Sequence, residues 1–234
     1  MHAGEIIILV ALTALAVAVL GWIYRRDRRR LTAQRGALFA HCLDLLEAPR
    51  LRQKDLDYPV LTGRYRGHAV HLDAVIDHIA LRKVPSLWLR VSLLTPLPGM
   101  ATLDILMRAQ NVEFFSPSDE LPHRLDTPVG WPTEAMIRTD APDRLPPAEL
   151  LTPHLAFFER PQAKEILIAP KGLRLVFQAS QADRLHYQVL RQADFASPVL
   201  SPDLVRDLLD RLVALQDDLS RRGGDAGGTT DLIA

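Results

Sequence analysis

The stretch Val60 to Ile76, VLTGRYRGHAVHLDAVI, carries the pattern that decides the fold. From Ala69 onward Val70, Leu72, Ala74 and Ile76 are apolar at every second position, while His71, Asp73 and Asp77 fall on the other parity. Successive side chains of a strand point to opposite faces, so a period of two predicts a strand with one buried and one polar face. Val60 to Arg66 reads as the preceding strand. Arg66-Gly67-His68 supplies the turn, which makes the pair an antiparallel hairpin.

Strands continue outward from this hairpin. Ser86 to Leu94 (SLWLRVSLL) reads as a third and Thr102 to Ala109 (TLDILMRA) as a fourth. Between Ser116 and Pro132 prolines and turn formers cluster into an irregular connection, with Trp131 as its anchor against the core. A short strand over Ala135 to Thr139 follows, then a short helix with Thr152 as N-cap and Pro153 at its first position. Three more strands are expected at Glu165 to Ala169, Gly172 to Ala179 and Arg184 to Gln192. Ser201-Pro202-Asp203 caps a final helix with an apolar stripe at Leu204, Leu208, Leu212, Leu215 and Leu219. Strands run in groups rather than alternating with helices, which predicts an α+β fold: a mostly antiparallel sheet packed by helices. A division into two similar halves is compatible with the pattern, and pairing between them is not encoded in periodicity.

Toward the N terminus the character changes. Ile6 to Ile23 (IIILVALTALAVAVLGWI) holds no charged side chain. A helix of about 20 such residues crosses the hydrocarbon core of a bilayer, so residues 6–24 are expected to form one transmembrane helix. Trp22 and Tyr24 lie where amphipathic rings rest at headgroup level, and Arg25, Arg26, Arg28, Arg29 and Arg30 must stay among phosphates or water. A cleaved signal peptide would carry its positive charge before the apolar core, whereas here MHAGE precedes it and the arginines follow. That asymmetry predicts a short flank, residues 1–5, outside and the main domain in the cytoplasm of a bacterial inner membrane. Leu31, Leu38, Phe39, Cys42, Leu43 and Leu46 recur at helical spacing, so a basic amphipathic helix is expected over 25–48, ending before Pro49. The remaining boundaries are a first β-rich half at 58–115, the connection at 116–132, a second half at 133–220 and a flexible tail at 221–234.

Lys plus Arg equals Asp plus Glu at 28 each, and the arginine flank leaves the rest of the chain with an acidic excess. A nucleic-acid-binding surface is therefore not expected. Cys42 is the only cysteine, which rules out an internal disulfide; its helical spacing marks it as a core residue rather than a nucleophile.

Only His68, His71, Asp73, Asp77 and His78 concentrate metal-binding or acid/base residue types. On a strand, His71 and Asp73 share a face at about 7 Å, near enough to hold one ion or orient one another, though a solvated strand face has the same composition. Glu113 with Phe114-Phe115, and Phe157-Phe158 with Glu159-Arg160, set paired aromatics beside charge and read first as core. The chain holds no G-x-S-x-G, Walker A, G-x-G-x-x-G or C-x-x-C motif, and no cofactor is expected.

The single N-terminal anchor, GRYRG (Gly63 to Gly67) in a hairpin, and PPAELLTP (Pro146 to Pro153) before a short helix and strands together resemble bacterial single-pass membrane-anchored domains of unknown function. The resemblance is one of layout and implies no catalytic residues. The expected partners are the lipid bilayer and another membrane or cytoplasmic protein. The expected role is a protein-interaction, assembly or accessory module. A membrane-tethered hydrolase or metal-binding domain using His71 and Asp73, and a domain responsive to anionic lipid through Arg25 to Arg30, are the alternatives.

Overall fold

A computed structural model describes residues 3–77, 84–109, 113, 115–182, 195 and 199–227. Helix α1 (Ala3–Gly36) leads into short 3-10 turns at Ala37–Phe39 and Leu43–Leu45. Strands β1 (Glu47–Arg52), β2 (Val60–Tyr65), β3 (His68–Ile76), β4 (Ser86–Leu93) and β5 (Leu103–Met107) follow. After β6 (His123–Leu125) and β7 (Ala135–Thr139) come helix α2 (Ala148–Leu151) and a 3-10 segment over Thr152–Glu159. Strands β8 (Ala163–Ala169) and β9 (Gly172–Gln181) and helix α3 (Pro202–Gly227) complete the described fold.

The nine strands make one sheet in the order β1-β2-β3-β4-β9-β8-β5-β7-β6, every neighbouring pair antiparallel. The α+β layout with an antiparallel sheet is as the sequence predicts, and the two halves share this single sheet through the β4–β9, β5–β8 and β5–β7 pairs. Register sorts the side chains. Leu72, Val91, Leu175 and Ile166 stand in line across β3, β4, β9 and β8, all buried on one face. Against that face packs α3, whose Leu208, Leu212, Leu215 and Leu219 are buried together with Val205 and Leu209, as its apolar stripe requires. The other face carries a small cluster of Leu106, Phe115 and Val176 with Val75, Trp88 and Met136.

Several elements differ from the sequence expectation. The juxtamembrane helix ends at Gly36 rather than Ala48: Leu38, Phe39, Cys42 and Leu46 are buried through the 3-10 turns instead. Glu47–Arg52 is an edge strand, where Pro49 is tolerated because it breaks no ladder on the open side. The connection at 116–132 contains β6. Helix α2 starts at Ala148 behind Pro147, and Thr152 is no N-cap, its hydroxyl donating back to Ala148 O at 2.8 Å. The final helix runs on to Gly227, past the expected tail boundary at 221. The strand expected over Arg184 to Gln192 lies outside the described residues, as do His78, Phe114 and residues 228–234.

Gly172 has a positive φ of 143° where the β8–β9 hairpin passes the end of β4, and a Cβ there would sit 2.0 Å from Leu93 O. Only glycine fits that approach.

Candidate functional site

Among the described residues one helix, α1, is long and apolar enough to cross a membrane, and none of its apolar window is buried in the fold. It is therefore not a core helix of the domain. Trp22 and Tyr24 are exposed at the end of the apolar run, and the Arg26 guanidinium lies over the Trp22 ring at 5.4 Å.

The arginine half of α1 is gripped by the turn between β1 and β2. Gln53 Nε2 donates to Thr32 O at 2.9 Å and to Asp57 O at 3.1 Å, Arg28 pairs with Asp55 at 3.1 Å, and Arg35 donates to Leu56 O. Arg35 also lies over the Tyr58 ring at 5.4 Å. Gly36 allows this closeness, since a Cβ on it would come 2.7 Å from Gln53 Oε1. The helix and the sheet edge are thus joined by several independent contacts rather than by a linker. Beside the clamp, Arg25, Arg28, Arg29, Thr32, Ala33 and Gln53 line a cleft of about 390 Å³. Along the free sheet edge a larger open groove of about 1010 Å³ is lined by Arg50, Arg52, Lys54, Asp57, Tyr58 and His71 among others.

His71 and Asp73 are brought together as the period of two requires, with His71 Nε2 3.9 Å from Asp73 Oδ1. Asp73, however, is already held: its cross-strand neighbour Arg90 donates Nε to Oδ1 at 3.1 Å and its Nη2 to Oδ2. A carboxylate engaged by a guanidinium fork has little left to offer a cation. Among the described residues no group of three or more His, Cys, Asp or Glu side chains converges as a metal site. His68 turns away to Thr95 Oγ1 at 3.0 Å. Cys42 is fully buried with its thiol directed to Leu200 O at 3.7 Å, and burial pushes its pKa up to about 11, the opposite of an activated nucleophile. The paired aromatics are core: Phe157 and Phe158 are buried with ring centroids 5.3 Å apart, and Trp131 is buried with its indole donating to Thr152 Oγ1.

The most unusual chemistry sits on the second face of the sheet. Asp104 of β5 and Glu165 of β8 are both fully buried, close enough that the Glu165 charge is felt at Asp104. Ser116 Oγ donates to Asp104 Oδ2 at 2.7 Å, and Arg174 of β9 pairs with Glu165 Oε2 at 3.0 Å while also donating to Phe115 O. Arg138 of β7 is the cross-strand neighbour of Asp104 and donates to Leu121 O. Asp104 Oδ1 and Glu165 Oε1 have no donor. Burial, reinforced by the Glu165 charge, raises Asp104 to about 8; burial raises Glu165 as well, with Arg174 pulling it back. Burial thus pushes both carboxyls toward their protonated form, in which a carboxyl can donate as well as accept. A second buried pair, Lys164 with Glu113 at 2.7 Å, fixes the start of the same covering segment. Together these contacts seat residues 113 and 115–121 on the sheet, with Phe115 against Trp88 at 5.4 Å. The arrangement is buried in packed protein, so it reads as part of the fold's interior.

Neither protein-family models nor curated proteins yield a match to this chain. The site defines no more than a class: an α+β sheet domain clamped to a single long apolar helix.

Proposed function

We propose that this is a single-pass bacterial inner-membrane protein, N terminus outside, whose cytoplasmic α+β domain is a protein-interaction, assembly or accessory module. The observation that carries the reading is the continuity of α1. An uncovered apolar half passes without a break into an arginine half that the β1–β2 turn grips. A cleaved leader ends in an accessible small-residue segment, whereas the residues after this apolar run are helical and anchored to the domain. The five arginines between Arg25 and Arg30, directly after the apolar run, support the cytoplasmic side.

The clamp holds the sheet at a fixed height and angle above the bilayer, which suits a module that must meet a membrane partner in one orientation. Arg50, Arg52 and Lys54 make the groove at the free edge cationic and suit it to an acidic segment of that partner. Pro49 and the flanking arginines discourage unspecific strand addition at the same edge, leaving side-chain recognition as the mode of contact.

The test is extraction of the full-length protein in mild detergent by a C-terminal tag, with the stoichiometric co-purifying species identified. The reading expects a defined complex that is lost on joint Arg50→Glu and Arg52→Glu substitution. Substrate turnover by the purified protein, abolished by one polar substitution, would replace it with an enzymatic role.

A further inference from the structure

We infer that the cleft between α1 and the β1–β2 turn is a binding site for the phosphate of one anionic phospholipid headgroup. The inference rests on the anchoring reading and adds a specific ligand to it. Arg25, Arg28, Arg29 and Thr32 are spaced three and four residues apart, so they share one side of the helix and open together into the 390 Å³ cleft walled by Gln53. Arg28 is committed to Asp55. Arg25 and Arg29 have no ion pair among the described residues, and Asp27, the acid between them in sequence, lies on the opposite side of the helix at 100° per residue.

Depth selects the ligand. Arg25 directly follows Tyr24, and Arg29 lies about 6 Å further along the axis at 1.5 Å per residue. The cleft therefore opens at the level where the apolar run ends and phosphates begin. A guanidinium fork matches two phosphate oxygens, and two forks on one side of a helix converge on a single phosphate. The wall is built rather than adventitious: both Gln53 amide donor bonds go to backbone carbonyls, Thr32 O and Asp57 O, and Thr32 Oγ1 donates to Arg28 O at 2.9 Å. Topology alone needs arginines anywhere around the helix. It does not need a cleft against the turn.

The experiment uses the full-length protein in mild detergent, titrated with phosphatidylglycerol or with phosphatidylcholine of the same chains, with bound lipid counted by native mass spectrometry. The site predicts one saturable phosphatidylglycerol per protein, and weaker phosphatidylcholine binding. Joint Arg25→Gln and Arg29→Gln substitution should weaken it at least about tenfold, at on the order of 1 kcal/mol per basic residue near the surface. Joint Arg26→Gln and Arg30→Gln substitution removes the same charge from another side of the helix and should weaken it far less. Gln53→Ala, which keeps every arginine but removes the wall, should weaken it several-fold. Equal losses in the two arginine pairs, or no saturable adduct, would overturn the site. Alkaline extraction of the same proteins separates the two levels: release of the wild type from membranes defeats the anchoring reading itself, whereas retention with equal losses defeats only the lipid site.

Discussion

Replacing Asp104 by Asn tests whether burial keeps the Asp104 carboxyl protonated. An ordinary aspartate titrates near 3.8 and this one at about 8, because burial and the neighbouring Glu165 charge disfavour its ionised form. The folded chain therefore keeps a proton that the unfolded chain has lost, and stability must fall as pH rises through that interval, levelling off above it. At about 1.4 kcal/mol per pH unit the interval costs the fold on the order of 5 kcal/mol. Asn is nearly isosteric and accepts from Ser116 through its carbonyl. It also removes the titration. Thermal melts followed by circular dichroism, on full-length protein in detergent between pH 5 and 9, read the effect. The wild type should lose stability steadily toward alkaline pH. Asp104→Asn should be nearly flat and, at pH 8.5, melt about 10–20 °C higher, taking 2–4 °C per kcal/mol for a chain of this size. Parallel pH profiles for the two proteins, or an Asn variant weaker by the same amount at every pH, would refute the reasoning that Asp104 stays protonated in the fold.

Three further outcomes follow from the packing. Gly172→Ala should destabilise by at least about 2 kcal/mol, because its Cβ would be driven to 2.0 Å from Leu93 O at a left-handed φ, and a melt of the variant measures it. Lys164→Met leaves Glu113 buried without its cation and should cost roughly 3–5 kcal/mol in denaturant titration, most of it recovered when Glu113→Gln is added. Cys42 should resist maleimide at pH 7 until denaturant is added, since its thiol is fully buried and titrates only at about 11.

What was legible in the sequence tracks where burial is one-sided. The β2–β3 hairpin alternates because one face meets the core while the other carries mostly polar, partly exposed side chains. The stripe on α3 has the same cause at a period of 3.6. Where an element is buried on both faces or on neither, the signal disappears. Strand β1 is exposed along its whole length and is held by β2 alone, so EAPRLR shows no period. The spacing of Leu38, Phe39, Cys42 and Leu46 reflects burial correctly, but 3-10 turns after Gly36 achieve it rather than a continuing helix. Strand β5 is buried at every residue, which hid Asp104 inside an apparently simple apolar run. Asp104, Glu165, Arg174 and Lys164 were missed for that reason. The available signal was opposite charges embedded in the successive apolar runs LDILM, KEILIA and LRLVF, because buried charges persist in such strands only when paired. The clamp on α1 had no local signal at all, since Gln53 and Asp55 look like ordinary turn residues.

The central claim is that α1 spans a membrane and holds the domain on its cytoplasmic side. Protease treatment of vesicles bearing the full-length, C-terminally tagged protein tests it most directly. In sealed right-side-out vesicles the domain should survive intact, and in inverted vesicles it should be digested, with the protein remaining in the pellet after alkaline extraction in both. Digestion in right-side-out vesicles, or release of the intact chain by alkali, would contradict the account.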